Sequence, residues 1–206
     1  MSLWMFSVAV IAATAFFTAE AGNVCNYMYM REYWFQGKPS ENFYQYNDWS
    51  ITVPLQMIEF NLILKAAGKP VSGAMFWKLL VGTVIMLAFG YLGETFLLPA
   101  WPAFIGGILG WFFILFEIFA GEAGGTASGC SESVAASFKN MRMIVTAGWS
   151  IYPLGYLFGY LLGAVDETFL HVLYNIADFV NKIAFVLACW SSAKAESEGK
   201  KDVLLA

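Results

Sequence analysis

The chain consists of long apolar segments separated by short polar connections. Residues 95–116 and 143–165 contain no Asp, Glu, Lys, Arg or His, and a helix needs about 20 apolar residues to cross the hydrocarbon core of a bilayer. Four further apolar segments, each interrupted by a few polar residues, cover about 3–30, 43–64, 73–93 and 168–193. Backbone groups inside lipid must be hydrogen-bonded within the protein, so segments this continuous favour helices over the alternating strands of a barrel. The pattern predicts an all-α membrane protein, a helix bundle with about six spans.

The composition agrees with a membrane protein and excludes other classes. Hydrophobic residues make up 59% of the 206-residue chain and charged residues only 13%, about half the charged fraction of soluble domains. The net charge of −4 offers no basic face for phosphate groups, so no nucleic-acid partner is expected. Cys25, Cys130 and Cys189 have neither a metal-binding nor a disulfide spacing, so they are interpreted as small apolar residues, and no metal site is expected.

The distribution of Lys and Arg between alternate connections predicts the orientation in the membrane. Arg31 and Lys38 lie on one side. Eight basic residues lie on the other: Lys65, Lys69, Lys78, Lys139, Arg142, Lys194, Lys200 and Lys201. Cytoplasmic connections of membrane proteins carry the excess of positive charge. We therefore expect a multi-pass protein that forms one transmembrane domain over 1–206, with a cytoplasmic tail at 195–206.

The N-terminal segment has two interpretations. Residues 1–17 are largely apolar, and Ala19-Glu20-Ala21 resembles the cleavage site of a signal peptide, which would make 1–21 a leader that is removed. No Lys or Arg precedes the apolar run, although a signal peptide carries such a basic region. The missing basic region favours a retained span. Elsewhere, the stretch 121–133, rich in Gly, Ala and Ser, is expected to be a loop.

Ionisable residues inside the predicted spans are the candidates for function, because charge at membrane depth is costly. Asp48, Thr52 and Glu59 are separated by 4 and 7 residues, which places them on one face of a helix. The 11 residues from Asp48 to Glu59 correspond to roughly 16 Å along the helix axis. Two carboxyls that far apart cannot act as a catalytic pair. The spacing predicts successive carriers of a proton instead.

Asp178 and Lys182 are four residues apart on the last predicted span and share a helix face. One interpretation is a structural ion pair that joins two helices. The other is an amine in an apolar pocket that condenses with an aldehyde to form a Schiff base. Large rings on three other spans favour the second interpretation, because together they can line a slot for a flat polyene: Trp49, Trp111, Trp149, Tyr152 and Tyr156.

Three stretches of the sequence resemble the microbial (type 1) rhodopsins, and within that family the proteorhodopsins. They are Tyr46–Leu55 with Glu59 beyond it, Gly148–Pro153 followed by Gly155 and Tyr156, and Tyr174–Lys182. Weaker matches at Tyr27–Arg31, Gly90–Glu94 and Trp101–Ile105 extend the resemblance over nearly the whole chain from residue 26 onward. The resemblance implies a bacteriorhodopsin-like transmembrane helix bundle, which in the family has seven helices.

The resemblance also implies a light-driven outward proton pump, an ion transporter rather than an enzyme. Its cofactor would be all-trans retinal, bound to Lys182 as a protonated Schiff base. Asp48 matches the proton acceptor and counterion, Asp178 the second counterion, and Glu59 the proton donor. The implied surroundings are the lipid bilayer of the cell (inner) membrane, and the expected partners are protons and further copies of the chain in a homo-oligomer.

Further residues complete the site that the resemblance implies. Thr52 lies one turn from Asp48 and can hydrogen-bond there, and Gln56 matches a position that tunes colour, where glutamine goes with blue-shifted absorption. His171 is interpreted as a surface or interhelical residue rather than a switch. The expected retinal pocket comprises Lys182, Trp49, Gln56, Trp111, Trp149, Tyr152 and Tyr156.

The sequence departs from the family pattern in three ways. Gln45 stands where the family usually has Arg, and Asn26 stands where it commonly has a His paired with the acceptor. The region of the first and second helices is shortened, so that about six spans are evident where the family has seven. Two alternatives to the pump therefore stay open: a sensory rhodopsin that signals to a membrane partner, and a truncated rhodopsin that does not pump. Glu59 favours the pump, because a sensor does not need a carboxyl donor.

Overall fold

The computed structural model of the protein describes residues 42–205, which are helical apart from short connections. This part of the chain forms seven α-helices: α1 Asn42–Ala66, α2 Gly73–Glu94, α3 Ala100–Phe119, α4 Glu122–Ala127, α5 Glu132–Met143, α6 Ile151–Tyr156 and α7 Glu167–Leu205. Two π-helical turns, Ile144–Gly148 and Leu157–Leu161, lie on either side of α6. The all-α bundle predicted from the sequence is confirmed, and the described residues contain no strand.

Three helical segments of the described chain are long and apolar enough to cross a membrane: Gly73–Glu94, Ala100–Ala127 and Phe169–Glu198. Large apolar side chains point away from the bundle, and Trp77 and Phe116 are 60% and 61% exposed. Such exposure is expected for helices that face lipid, where apolar surface meets no water. The first predicted span, Asn26 and the shortened region between the first helices lie outside the described residues.

Two spans predicted from hydropathy have the wrong boundaries. The span predicted at 95–116 begins only at Ala100, because Thr95 ends α2, Phe96 has a φ of 58°, and Pro99 is the N-cap residue of α3. The span predicted at 143–165 begins at Glu132 and ends at Leu161. Its helix continues past the apolar stretch into a polar end, which hydropathy alone does not detect.

The stretch 121–133, predicted to be a loop, contains the short helix α4. Two carboxylates on neighbouring turns hold this helix in place. The Glu122 carboxylate accepts hydrogen bonds from the backbone N–H and the hydroxyl of Ser72, both at 2.5 Å. Glu117 accepts a bond from the backbone N–H of Ala123 at 3.3 Å and pairs with Lys78 at 3.1 Å. These contacts tie α4 to the start of α2, so the composition of the stretch does not decide its conformation.

Helices α2 and α3 approach closely because glycine lies at their crossing. A Cβ atom on Gly110 would lie 2.7 Å from the backbone N of Met86 and 3.0 Å from the backbone O of Gly82. Small residues allow transmembrane helices to pack backbone against backbone. Since α2 and α3 both carry cavity-lining residues, this close approach fixes the width of the cavity described below.

We expect Gly110→Ala to destabilise the bundle by about 1–3 kcal/mol, because the atoms that its methyl group would meet belong to the backbone and cannot rotate away. The measurement is the free energy of unfolding of the detergent-solubilised protein in an SDS titration, followed by circular dichroism. Gly125→Ala is the matched control, since a Cβ atom there meets nothing within 4 Å. Equal stability of Gly110→Ala and the parent chain would contradict the close approach.

Candidate functional site

A buried cluster of three charged side chains joins α1 to α7. The Lys182 ammonium donates to Oδ2 of Asp48 and, at 3.2 Å, to Oδ2 of Asp178. The three side chains are only 7%, 2% and 4% exposed in that order. Burial of a cation is tolerated when it is paired and hydrogen-bonded, and here two carboxylates surround one amine. The sequence indicates the pair on α7, and the structure brings Asp48 to it from a different helix.

The two carboxylates of this cluster differ in how well they are hydrogen-bonded. Asp178 also accepts a bond from the indole N–H of Trp49 at 2.7 Å and one from the hydroxyl of Tyr152. Oδ1 of Asp48, in contrast, has no hydrogen-bond partner within residues 42–205. Hydrogen bonds to a carboxylate stabilise its charged form. Of the two, Asp178 is therefore the better hydrogen-bonded carboxylate, and Asp48 keeps one oxygen open to a further bond.

Thr52 is fully buried one turn from Asp48, and its hydroxyl donates to the backbone carbonyl of Asp48 at 3.1 Å rather than to the carboxylate. Such a bond is common for threonine in helices. It keeps the hydroxyl on the helix face that carries Asp48. Thr52 therefore lies beside the cluster without contacting its charged atoms in this structure.

Glu59 lies on the same face of α1, further along the helix. Its side chain is 3% exposed, and its Oε2 accepts a hydrogen bond from the thiol of Cys189 on α7 at 3.3 Å. Oε1 has no hydrogen-bond partner in the described part of the chain. The structure thus contains two separate buried carboxyl positions on α1, one in the lysine cluster and one beyond it.

A cavity adjoins the lysine cluster. It encloses about 810 Å³ of space, its open mouth included. All seven residues of the pocket expected from the sequence line it: Trp49, Gln56, Trp111, Trp149, Tyr152, Tyr156 and Lys182. The side-chain amide of Gln56 is buried, and its Nε2 has no hydrogen-bond partner among the described residues.

Apart from Trp111, sequence reasoning missed the cavity wall that α2 and α3 supply. This wall comprises Met86, Leu87, Gly90, Glu94, Ala103, Phe104, Gly107 and Ile108. Most of these residues are apolar or glycine and look like ordinary span residues in a sequence. Glu94 is the exception: it is buried at the end of α2 and accepts a hydrogen bond from the hydroxyl of Tyr46 at 2.9 Å. An acidic residue at the end of an apolar span is visible in the sequence, so Glu94 is the residue that could have indicated this wall.

The cavity fits a retinal group. It offers a primary amine, Lys182, in a wall that is otherwise mostly aromatic and aliphatic, and carboxylates stand beside the amine to balance a positive charge on its nitrogen. The rings of Trp49 and Tyr152 meet edge to face, with centroids 5.2 Å apart, next to that amine. The indole N–H of Trp111 donates to the backbone carbonyl of Val145 in the π-helical turn at 3.0 Å, which fixes this ring in the wall. An elongated apolar aldehyde suits this set of residues.

A second buried polar contact joins α1 and α7 near the start of α7. Nδ1 of His171 and Oε1 of Gln45 are 3.1 Å apart, and both side chains are buried. The amide oxygen can only accept, so the imidazole donates from Nδ1. The other ring nitrogen faces the exposed Glu167 carboxylate at 3.8 Å. His171 is thus an interhelical residue, one of its two predicted positions.

Comparison with known proteins gives consistent matches. A family model described as bacteriorhodopsin-like protein matches residues 1–195. The chain is 41% identical over 217 residues to the green-light absorbing proteorhodopsin of Gamma-proteobacterium EBAC31A08, covering 96% of this chain and 87% of that protein. It is 39% identical over 218 residues to the blue-light absorbing proteorhodopsin of Gamma-proteobacterium Hot 75m4, covering 96% and 86%.

Solved structures agree with these matches. The crystal structure of Exiguobacterium sibiricum rhodopsin superimposes with a TM-score of 0.79 at 25% identity, covering 96% of this chain and 86% of that one. That of the blue light-absorbing proteorhodopsin from Med12 superimposes with a TM-score of 0.69 at 32% identity, covering 95% and 100%. The fold and the sequence thus lead to the same group of proteins.

We expect Gln45 and His171 to be energetically coupled, because removing either partner leaves the other polar group buried without this bond. His171→Leu and Gln45→Leu should each destabilise the protein by about 1–3 kcal/mol, and the double variant by less than the sum. The measurement is a double-mutant cycle of unfolding free energies in SDS. Glu167→Gln is the control with little expected effect, since this side chain is 66% exposed. Additive single effects would contradict the coupling.

Proposed function

The chain belongs to the bacteriorhodopsin-like family of multi-pass, retinal-binding membrane proteins, and from that premise we propose that it is a light-driven outward proton pump. Light-driven ion pumps rather than enzymes are typical of this family. The observation that carries the proposal is the position of the Lys182 amine: it lies in the wall of an aromatic cavity, between two buried carboxylates that are hydrogen-bonded to different extents.

In this proposal Lys182 holds all-trans retinal as a Schiff base, and Trp49, Gln56, Trp111, Trp149, Tyr152 and Tyr156 enclose it. Retinal, when bound, supplies absorption of visible light and an isomerisation that changes the surroundings of the Lys182 nitrogen. Asp178 serves as the second counterion, supported by the hydrogen bonds that it accepts from Trp49 and Tyr152. Gln56 offers an amide to the cavity at a position that affects colour.

The proton path follows from the positions of the carboxyls on α1. Asp48 takes a proton from the Lys182 nitrogen across their direct contact, which leaves both of these groups neutral beside Asp178. Thr52 keeps this face of α1 polar beside the acceptor. Glu59, roughly 16 Å from Asp48 along the helix, holds a proton in an apolar environment and returns it to the Lys182 nitrogen from the other side. Protons then enter on the side of Glu59 and leave on the side of Asp48.

The orientation and assembly are part of the same proposal. The excess of Lys and Arg on the side of the C-terminus favours a cytoplasmic end for α7, so that Glu59 faces the cytoplasm and Asp48 the outside. Residues 195–206 then form a cytoplasmic tail of the single domain, and α7 continues through this region to Leu205. We place the protein in the cell membrane as a homo-oligomer, with protons as the transported ion.

Pigment formation tests the retinal site. Membranes that contain the parent chain should become coloured when all-trans retinal is added, and hydroxylamine should bleach the colour. Lys182→Ala should give no pigment, because the amine is then missing. The matched control Lys194→Ala, which removes an exposed lysine that pairs with the exposed Glu198 away from the cavity, should give as much pigment as the parent. Equal colour in Lys182→Ala and the parent would refute the assignment of the amine.

Transport tests the pump. Illumination of retinal-fed cells should acidify the medium, and a protonophore should abolish the signal. Glu59→Gln should leave the colour unchanged but slow the recovery of visible absorption after a flash by about 100-fold, the contribution expected of a positioned proton donor. The control Glu198→Gln changes an exposed carboxylate near the end of α7 that pairs with Lys194 and should recover at the parent rate. A stable pigment that produces no acidification would refute the pump and favour the sensory or truncated alternatives.

A further inference from the structure

The thiol of Cys189 contacts a buried carboxyl of the proposed proton path. Sequence analysis interprets this cysteine as a small apolar residue, and its side chain is indeed buried, at 2% exposure. In the structure its Sγ donates to Oε2 of Glu59 at 3.3 Å and lies 3.5 Å from Sδ of Met141. Three helices, α1, α5 and α7, therefore meet at one sulfur atom.

The direction of this hydrogen bond determines which oxygen of Glu59 carries the proton. A thiol is a weak donor, and Oε2, which accepts from it, acts as the carbonyl oxygen of a neutral carboxyl group. Oε1 has no hydrogen-bond partner in residues 42–205, so it is the oxygen that is left to hold the proton. Sδ of Met141 lies 3.5 Å from the same sulfur atom, as a second and weaker acceptor within reach of the one S–H. The contact thus orients the acid as well as anchoring it.

The position of Cys189 on α7 relates the carboxyl to the amine that it serves. Cys189 follows Lys182 by seven residues, which is about two helical turns and places both side chains on one face of α7. Helix α7 therefore carries both the Lys182 nitrogen, which receives the proton, and the Cys189 thiol, which is bonded to the proton donor Glu59. A displacement of α1 relative to α7 would move Glu59 away from both.

We propose that Cys189 is a positioning residue for the proton donor: its thiol, bonded to Oε2 of Glu59, keeps the donor's proton on Oε1 in a fixed orientation. The inference rests on the proposed function, in which Glu59 is the donor. The resemblance assigns no role to Cys189. What this residue contributes is a weak hydrogen-bond donor, its S–H group. A stronger hydrogen-bond donor than a thiol is not needed here, since Glu59 must keep its proton until the Lys182 nitrogen takes it.

Infrared spectroscopy of the retinal-bound full chain tests the bond directly. The carbonyl band of protonated Glu59 is the one that disappears in Glu59→Gln. In Cys189→Ala this band should move to higher frequency, because its carbonyl loses a hydrogen bond. Cys189→Ser should move it to lower frequency, because a hydroxyl donates more strongly than a thiol. The S–H stretching band of Cys189, absent from Cys189→Ala, should shift when Glu59 is replaced by Gln.

Flash kinetics test whether the bond matters for transport. Recovery of visible absorption should slow by about fivefold in Cys189→Ala, the factor expected for one lost hydrogen bond, and Cys189→Ser should restore the parent rate to within about twofold. Cys130→Ala is the matched control, because this thiol contacts a backbone carbonyl of α4 and not a carboxyl. The wavelength of maximum absorption should stay unchanged in each variant, which would show that the cavity is intact.

Two results would overturn the proposal. One is a carbonyl band of Glu59 that is identical in the parent and in Cys189→Ala. The other is equal recovery of Cys189→Ala, Cys189→Ser and the parent. Failure of the proposed function has a different signature: Glu59→Gln would then recover as fast as the parent, while the infrared bands would still report the bond between Cys189 and Glu59.

Discussion

The buried contact between Lys182 and two carboxylates is the interaction on which the rest of the structure depends. An amine that is only 7% exposed requires anions within hydrogen-bonding distance. Asp48 and Asp178 meet this requirement from two helices, so α1 and α7 must stay in register at this level. A contact of this kind contributes less to stability than its Coulomb energy indicates, since all three groups are desolvated. The contact instead defines a single arrangement of charged side chains, in which Asp178 is better hydrogen-bonded than Asp48.

The cavity is a consequence of how the other helices pack around that contact. Rings from α1, α3 and the segment around α6 enclose one side, while α2 closes the other through its glycine-mediated approach to α3. Tyr152 takes part in both systems, because its hydroxyl donates to Asp178 and its ring lines the cavity. A change in the shape of the cavity is therefore transmitted to the hydrogen bonding of Asp178. This is the physical link between a cofactor in the cavity and the charges beside it.

The sequence predicted the helices and the charged and aromatic part of the candidate site, for identifiable reasons. Long uncharged runs identify spans, and helical spacing places Asp48, Thr52 and Glu59 on one face. Neither rule describes contacts between helices. The pairing of Gln45 with His171 and the bond from Cys189 to Glu59 therefore emerge only from the structure. Span ends were predicted less well, because Phe96 and Pro99 set one boundary through backbone conformation and a polar helix extension sets another.

Helix α7 carries four of the side chains discussed above: His171, Asp178, Lys182 and Cys189. They are spaced 7, 4 and 7 residues apart, so all four point to one side of a single continuous helix. A substitution in α7 alters one of these groups and leaves the others in place. An insertion or deletion of one residue turns every side chain beyond it by about 100° around the helix axis. The length of α7 between His171 and Cys189 is therefore as strictly constrained as the identity of its polar residues, whereas the connections between helices can vary in length.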